Sequence, residues 1–367
     1  MTDHGFHPDW FSRPGDTLAH LMVRRGLSVS ALSQILRCEK DALRRVILGA
    51  KQIDRSLAER LSAATGPSAS FWMRRQASYD DALSRSAAGI APDQSREWIK
   101  TLPIREMSEL GWLQEPPPSS EAVKACMAYF DVSTIEEWRR RYVPQLGSIA
   151  FRTSPTFSST KGSLAAWLRR GEIEASLVGA ADWNPDVLRE RLDDLRRLTL
   201  AKSPRYFLPR MQEICASAGV AVVFVRAPKG CRASGAARFV APRKAVIILS
   251  FRHKSDDHFW FTFFHEIAHL LLHEKATTFV DDICDDSNDI EAEANLFAAR
   301  LLIPSDRLEQ LHDLAPKRDC VMRFAVSIGT AAGIVVGQLQ HLGVIERSQL
   351  NFLKRRYDWD EILSAIP

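Results

Sequence analysis

The stretch Phe259–Leu272 constrains this chain more than any other. It reads Phe-Trp-Phe-Thr-Phe-Phe, then His265-Glu266-Ile267-Ala268-His269, then Leu-Leu-Leu. An apolar run of this kind is buried, and polar groups inside it need partners. It is long enough for a buried helix and too interrupted to span a membrane. Two histidines four apart lie on one helix face, about 6 Å apart along the axis. Both imidazoles can then reach one zinc ion. Glu266, beside the first of them, can hold and deprotonate a water there. A second helix-like segment, Ile290–Leu302, carries Glu291 and Glu293, and a carboxylate from it can complete a His, His, Glu set with a fourth position left open.

The chain of 367 residues predicts two or three domains. A hydrophobic fraction of 46% and a charged fraction of 26% are those of a globular protein. With a net charge of only +4, any nucleic-acid surface must come from local clustering. The six cysteines (Cys38, Cys126, Cys215, Cys231, Cys284, Cys320) contain no Cys-x-x-Cys pair, which points to reduced thiols and away from a cysteine zinc site. The first residues show neither a basic nor an apolar leader region, so the expected setting is cytoplasmic, with no membrane partner.

Along the chain, residues 14–79 read as five short helices, with Ser28 as an N-cap, a turn at Arg37-Cys38, and Leu57, Ala58 and Leu61 at core spacing. Residues 80–96, rich in Ala, Ser and Asp, read as a linker. Helices follow from Trp98 to about Arg141 and from Asp186 to Leu200. Leu208–Ala218 is a helix stopped by Gly219. Val220–Val225, Gly235–Val240 and Ala245–Ser250 are strands, the last two joined by a hairpin. Such a sheet can offer an edge to an extended peptide, with Gly235–Phe239 and Val246–Ser250 as candidates. His273 continues the histidine spacing but lies a turn beyond the metal's reach, so its predicted role is structural. Arg252, His253 or His258 can supply a second oxyanion donor. The acidic segment 281–289 lacks EF-hand spacing and reads as a solvated loop. Residues 319–343 form a second helix-turn-helix-like piece.

Two resemblances give these pieces a meaning. Phe264–His273, Glu291-Ala-Glu-Ala-Asn295-Leu-Phe-Ala-Ala299 and Leu302-Ile-Pro304 together resemble the ImmA/IrrE family of zinc metallopeptidases. That family's second motif reads Glu-x-x-Ala-Asn-x-Phe-Ala, and its first Glu is the third zinc ligand. The resemblance therefore implies that His265, His269 and Glu291 hold Zn2+, with Glu266 catalytic. Asn295, four after Glu291, is placed to orient a ligand histidine from outside the ligand set. Glu293 points about 160° away on an ideal helix.

Residues 14–79 resemble the Xre class of helix-turn-helix proteins, and HigA-type antitoxins in detail, through Pro14-Gly-Asp16 and Phe71-Trp-x-x-x-Gln76-x-x-Tyr79. That layout puts the third helix in the major groove. Leu43 and Ile47 face inward, so Glu39, Lys40, Arg44 and Arg45 are the outward candidates, with Arg suited to guanine or phosphate, while Gln34, Arg37, Lys51 and Arg55 can clamp the backbone. The expected fold class is α+β. It comprises an all-α helix-turn-helix domain (1–80), a linker and helical connector (81–200), and a zincin-like metallopeptidase domain (201–367) with a small sheet before the metal helix. The implied partners are operator DNA and a protein substrate, either a repressor or a toxin–antitoxin partner, with a possible homodimer matching a twofold operator. The rival reading is an antitoxin-like repressor with a structural or sensory zinc site.

Overall fold

Three residues fix the start of the first helix, α1 (Pro14–Arg24). Pro14 occupies its first position, and Asp16 Oδ2 accepts a hydrogen bond from the Arg13 amide at 3.0 Å. A Cβ on Gly15 would stand 2.0 Å from the Ile47 carbonyl oxygen, so only glycine lets α1 cross there. The Pro-Gly-Asp pattern is thus explained by packing. The computed structural model describes residues 12–113, 117–118, 121–150, 158–273, 278–280 and 289–366, so most of the acidic segment 281–289 lies outside the described residues.

Ser28 caps α2 (Val29–Leu36) through the Ala31 amide, as expected. Arg37 ends that helix in the left-handed region, φ 49° and ψ 49°, so the arginine does adopt a turn conformation usually left to glycine. Leu43 and Ile47 of α3 (Lys40–Ile47) are buried, as their spacing predicts. α4 (Arg55–Thr65) buries Leu57, Ala58 and Leu61. In α5 (Ala69–Ala88), Trp72 and Tyr79 are buried, and Gln76 Oε1 accepts the Ile53 amide at 3.1 Å. The Phe-Trp-x-x-x-Gln-x-x-Tyr pattern therefore ties α5 to the turn before α4.

The expected linker is a correction. α5 runs on to Ala88, burying Ala82 and Leu83, and α6 (Pro92–Thr101) starts soon after. Its Ala content favours helix, and Tyr79, Ala82 and Leu83 share one face. The short helix α7 (Ile104–Glu109) precedes α8 (Ala122–Phe130) and α9 (Ile135–Ala150). Trp98, Phe130, Trp138 and Tyr142 form an aromatic centre, with Trp98 and Trp138 centroids 5.9 Å apart. The long helix α10 (Ser158–Ser176) crosses the division between two compact units. The first holds the residues up to Arg169 with Pro228–Gly230, and the second holds the rest. The division falls at Arg169/Arg170, within the segment 81–200 expected as linker and connector.

In the second unit, α11 (Pro185–Glu190), α12 (Leu192–Arg197) and α13 (Pro204–Ser217) precede β1 (Val220–Phe224), β2 (Gly235–Ala241) and β3 (Lys244–Leu249). Helix α14 (Asp256–Leu272), which carries His265 and His269, follows, then β4 (Thr278–Val280), α15 (Asp289–Leu302), α16 (Leu308–His312), α17 (Arg318–Ile328), α18 (Ala332–His341) and α19 (Trp359–Ala365). The sheet order is β1-β3-β2-β4. β1 and β3 are parallel, and β2 pairs antiparallel with both β3 and β4. Both strands expected to offer an edge are therefore interior, because the three-residue β4 covers Ala236–Arg238 and β1 covers β3. On the β1 edge, the Gln212 amide donates to the Val222 carbonyl at 2.9 Å, occupying a group that would otherwise stand open.

Each face of the sheet has its own cover. On one, Ala237, Ile247 and Leu249 share a core with Trp260, Phe263, Phe264 and Ile267 of α14. On the other, the end of α10 lies so close that a Cβ on Gly171 would meet Ile248 at 2.1 Å. A buried ion pair, Arg238–Glu172 at 2.6 Å, joins the same layers. The expected second helix-turn-helix-like piece is present as α17 and α18, and it serves in packing. α18 buries Gly333, Ile334, Val335, Val336 and Leu339, and so has no free face to enter a groove. Among the described residues, no single helix is long and apolar enough to cross a membrane, although α17 and α18 together pass that test as a pair bent by 108°. Cys38, Cys126, Cys215 and Cys320 form no disulfide.

The start of α14 is held by a distant segment. Asp256 and the Arg355 backbone exchange hydrogen bonds, Lys354 Nζ pairs with Asp257 Oδ2 at 2.6 Å, and Ser255 bridges Arg356. Gly333 and Gly337 of α18 make room, since a Cβ at either would meet one of these aspartates below 3 Å. Asp256 is fully buried, and its Oδ2 has no hydrogen-bond partner among the described residues. Burial, then the charge of Asp257, pushes its carboxyl up from 3.8 to about 7. The folded form therefore holds a proton that the unfolded chain gives up near pH 4. Stability contributed by that proton is complete below the unfolded value and is lost as pH rises to about 7. A shift of this size corresponds to roughly 4 kcal/mol at most. Asp256→Asn, which keeps the accepting oxygen, is expected to flatten this fall. Urea unfolding of both proteins at pH 5 and pH 8 measures it, and equal slopes would reject the assignment.

Candidate metal centre

α14 is buried at every residue except His258, Phe261 and Leu272. Its apolar flanks hold it between the sheet and α15, and that burial carries His265, Glu266 and His269 into the interior. The two histidine Nε2 atoms stand 2.9 Å apart. Glu291, on the first turn of α15, brings Oε2 to 3.1 Å from His265 Nε2 and Oε1 to 3.4 Å from His269 Nε2. All three donors lie within 4.8 Å of one another. Ligands placed tetrahedrally at 2.0–2.1 Å from one ion stand roughly 3.3 Å apart, so this donor set fits a metal.

The electrostatics suit that use. Burial, followed by the neighbouring histidine, lowers the His269 pKa and favours the neutral imidazole that binds metals. Burial alone would raise the Glu291 carboxyl. Its hydrogen bonds to His265 and His269, with their charges, outweigh that and hold it down at about 2. A charged carboxylate thus faces two buried histidines.

Glu266 is fully buried on the strand side of α14. Its place depends on a residue that the sequence reading passed over as a mere strand start. A Cβ on Gly235, the first residue of β2, would stand 2.5 Å from Glu266 Oε1 and 2.6 Å from Thr262 Cγ2. The glycine lets the carboxylate lie against the strand backbone. Gly235→Ala is expected to shift Glu266 by about an ångström, lowering turnover by about 10²-fold with the ligand set unchanged. Zinc stoichiometry beside peptide cleavage checks this, and full activity in the variant would show the contact to be unimportant. Only the unusual glycine at a strand start could have flagged it from sequence.

The other site expectations divide. Glu293 does not face away from α14. Its Oε2 meets His273 Nε2 at 3.0 Å, and His273 Nδ1 lies 3.2 Å from His269 Nδ1. Asn295 is half-buried one turn beyond Glu291 and makes no hydrogen bond to either ligand histidine among the described residues, so the neighbour of His269 is His273 instead. Arg252, His253 and His258 form a group of their own. The His253 and His258 rings stack at 4.2 Å, and Arg252 donates to the Arg232 carbonyl. His258 precedes His265 by two turns, about 10 Å along the axis, which is too far to share its reacting atom.

In the first unit, Gln34, Arg37, Arg45 and Lys51 are exposed, and Lys40 and Arg44 are half-buried. They lie on α2, α3 and the turns beside them; Arg45 is opposite the buried Leu43 and Ile47, whereas Lys40 shares their side of α3.

Residues 215–332 match the family model of the IrrE N-terminal-like domain, Peptidase_M78. The match supports the ImmA/IrrE family for this part of the chain and a metallopeptidase-like function. It covers β1 to the start of α18, and so includes Gly235, Glu266, the three donors, His273 and Glu293. No curated protein matches the chain.

Proposed function

We propose that this chain is a DNA-binding regulator whose second unit is a zinc-dependent endopeptidase acting on one specific protein, a repressor above all. The observation that carries the reading is the convergence of His265, His269 and Glu291 with a buried Glu266 one residue from the first ligand. A zinc ion held there would polarise a carbonyl and make a bound water more acidic. Glu266 accepts the proton of the attacking water and passes it to the leaving amine. His265, His269 and Glu291 hold their positions because α14 and α15 are packed along their length. Gly235 keeps the proton acceptor pressed against β2.

For the first unit, the outward basic residues around α3 support contact with operator DNA. Lys40, Arg44 and Arg45 face bases, and Gln34, Arg37 and Lys51 face phosphates. A twofold operator would be matched by a homodimer.

The test uses the full chain loaded with zinc. A repressor encoded beside it should be cut at one site, casein should stay intact, and a chelator should stop the cutting. Operator binding should weaken steeply with salt, and Lys51→Ala should lower the salt slope by about one. Unselective casein digestion would overturn the substrate-restricted reading. DNA binding without cleavage of any neighbouring protein would move the chain to the antitoxin-like class.

A further inference from the structure

His269 has two ring nitrogens, and a metal takes one. Nε2 faces His265 and Glu291, while Nδ1 faces His273 Nδ1 at 3.2 Å. His273 Nε2 in turn lies 3.0 Å from Glu293 Oε2. The protons of these rings can be assigned by elimination, because a neutral imidazole carries one N–H and one lone pair.

Suppose His269 offers its Nε2 lone pair to a metal. Its proton then sits on Nδ1 and is donated to His273 Nδ1. The His273 proton must therefore sit on Nε2, where the Glu293 carboxylate accepts it. Every donor meets an acceptor. In the reverse assignment, His269 keeps its proton on Nε2 and has no lone pair for a metal. His273 then donates from Nδ1 and turns a bare lone pair toward a carboxylate 3.0 Å away. That contact is repulsive, so when a metal is bound at His269 Nε2 the Glu293 carboxylate favours the first arrangement.

We propose that His273 and Glu293 are positioning residues that act through His269, fixing its ring and holding it in the metal-binding tautomer. The proposal rests on the metal reading of His265, His269 and Glu291. It explains two features left over from the sequence, namely a third histidine at the same spacing and a second glutamate beside the ligand glutamate. The His273 side chain is 9% exposed, whereas Glu293 is 59% exposed and can be replaced without disturbing a core. A metal-binding imidazole normally gives its other N–H to a carboxylate or carbonyl. Here the carboxylate acts one ring further out.

The test is zinc affinity of the full chain, measured by competition with a chromophoric chelator, for wild type, His273→Phe, Glu293→Gln and the double variant. His273→Phe is expected to bind zinc about 10–100-fold more weakly. Glu293→Gln should also weaken binding. The double variant should be no weaker than His273→Phe alone, because Glu293 acts only through His273. Ring-nitrogen NMR of the zinc-loaded chain should show His269 protonated on Nδ1 and His273 on Nε2. Unchanged affinity in folded His273→Phe and Glu293→Gln, or the opposite tautomers, would overturn the relay while leaving the zinc site standing. Wild type that takes up no zinc would overturn the metal reading, and the relay with it.

Discussion

Replacing Glu266 by Gln is expected to lower peptide hydrolysis by about 10²–10⁴-fold while the protein keeps its zinc. Gln has the shape of Glu and can fill the same buried space between Thr262 and Gly235. It cannot accept a proton, so a water placed beside it stays a poor nucleophile. The donors His265, His269 and Glu291 do not include this side chain, so metal content should not change. The two measurements therefore separate the role. Zinc retained with cleavage lost fits the proton acceptor, whereas loss of both would show that Glu266 acts mainly in holding the site together.

Glu291→Ala is expected to abolish stoichiometric zinc, whereas Glu293→Ala should keep one zinc per chain with weakened affinity. The first change removes a carboxylate that reaches both His265 and His269, with oxygens at 3.1 and 3.4 Å. It also takes that negative charge from two buried imidazoles whose Nε2 atoms stand 2.9 Å apart. The second change removes a group that touches His273 alone. Metal analysis after dialysis decides the matter. Zinc lost in Glu293→Ala and kept in Glu291→Ala would reverse the ligand assignment.

The metal helix was legible because its signal is local. Two histidines and a glutamate in an apolar run have few ways to be buried together, and the spacing alone sets their faces. The choice of Glu291 over Glu293 needed a motif, since both lie on one short helix. Features that depend on pairing across the fold were not legible. The His273–Glu293 contact requires α14 and α15 to be side by side. β4 is three residues long and gives no alternating pattern, so the sheet edges were misjudged. The supposed linker lacked periodicity only because its exposed face is rich in small and charged residues, while Tyr79, Ala82 and Leu83 mark a buried stripe. In the first unit, Gly15 and Gln76 proved to be packing and turn residues, so the resemblance there reports a shape.

The grip of residues 354–357 on the start of α14 sets an order for biosynthesis. The ribosome makes His265 and His269 first, then α15 through α18, and only afterwards the residues that pair with Ser255, Asp256 and Asp257. Until that late segment emerges, Asp257 lacks its lysine and Asp256 lacks the Arg355 amide, so two aspartates stand at the head of an apolar helix without these partners. A nascent chain can display His265 and His269 before the helix that carries them is held at its start. Formation of the His265, His269 and Glu291 cluster is thereby tied to residues that lie well beyond it in the chain.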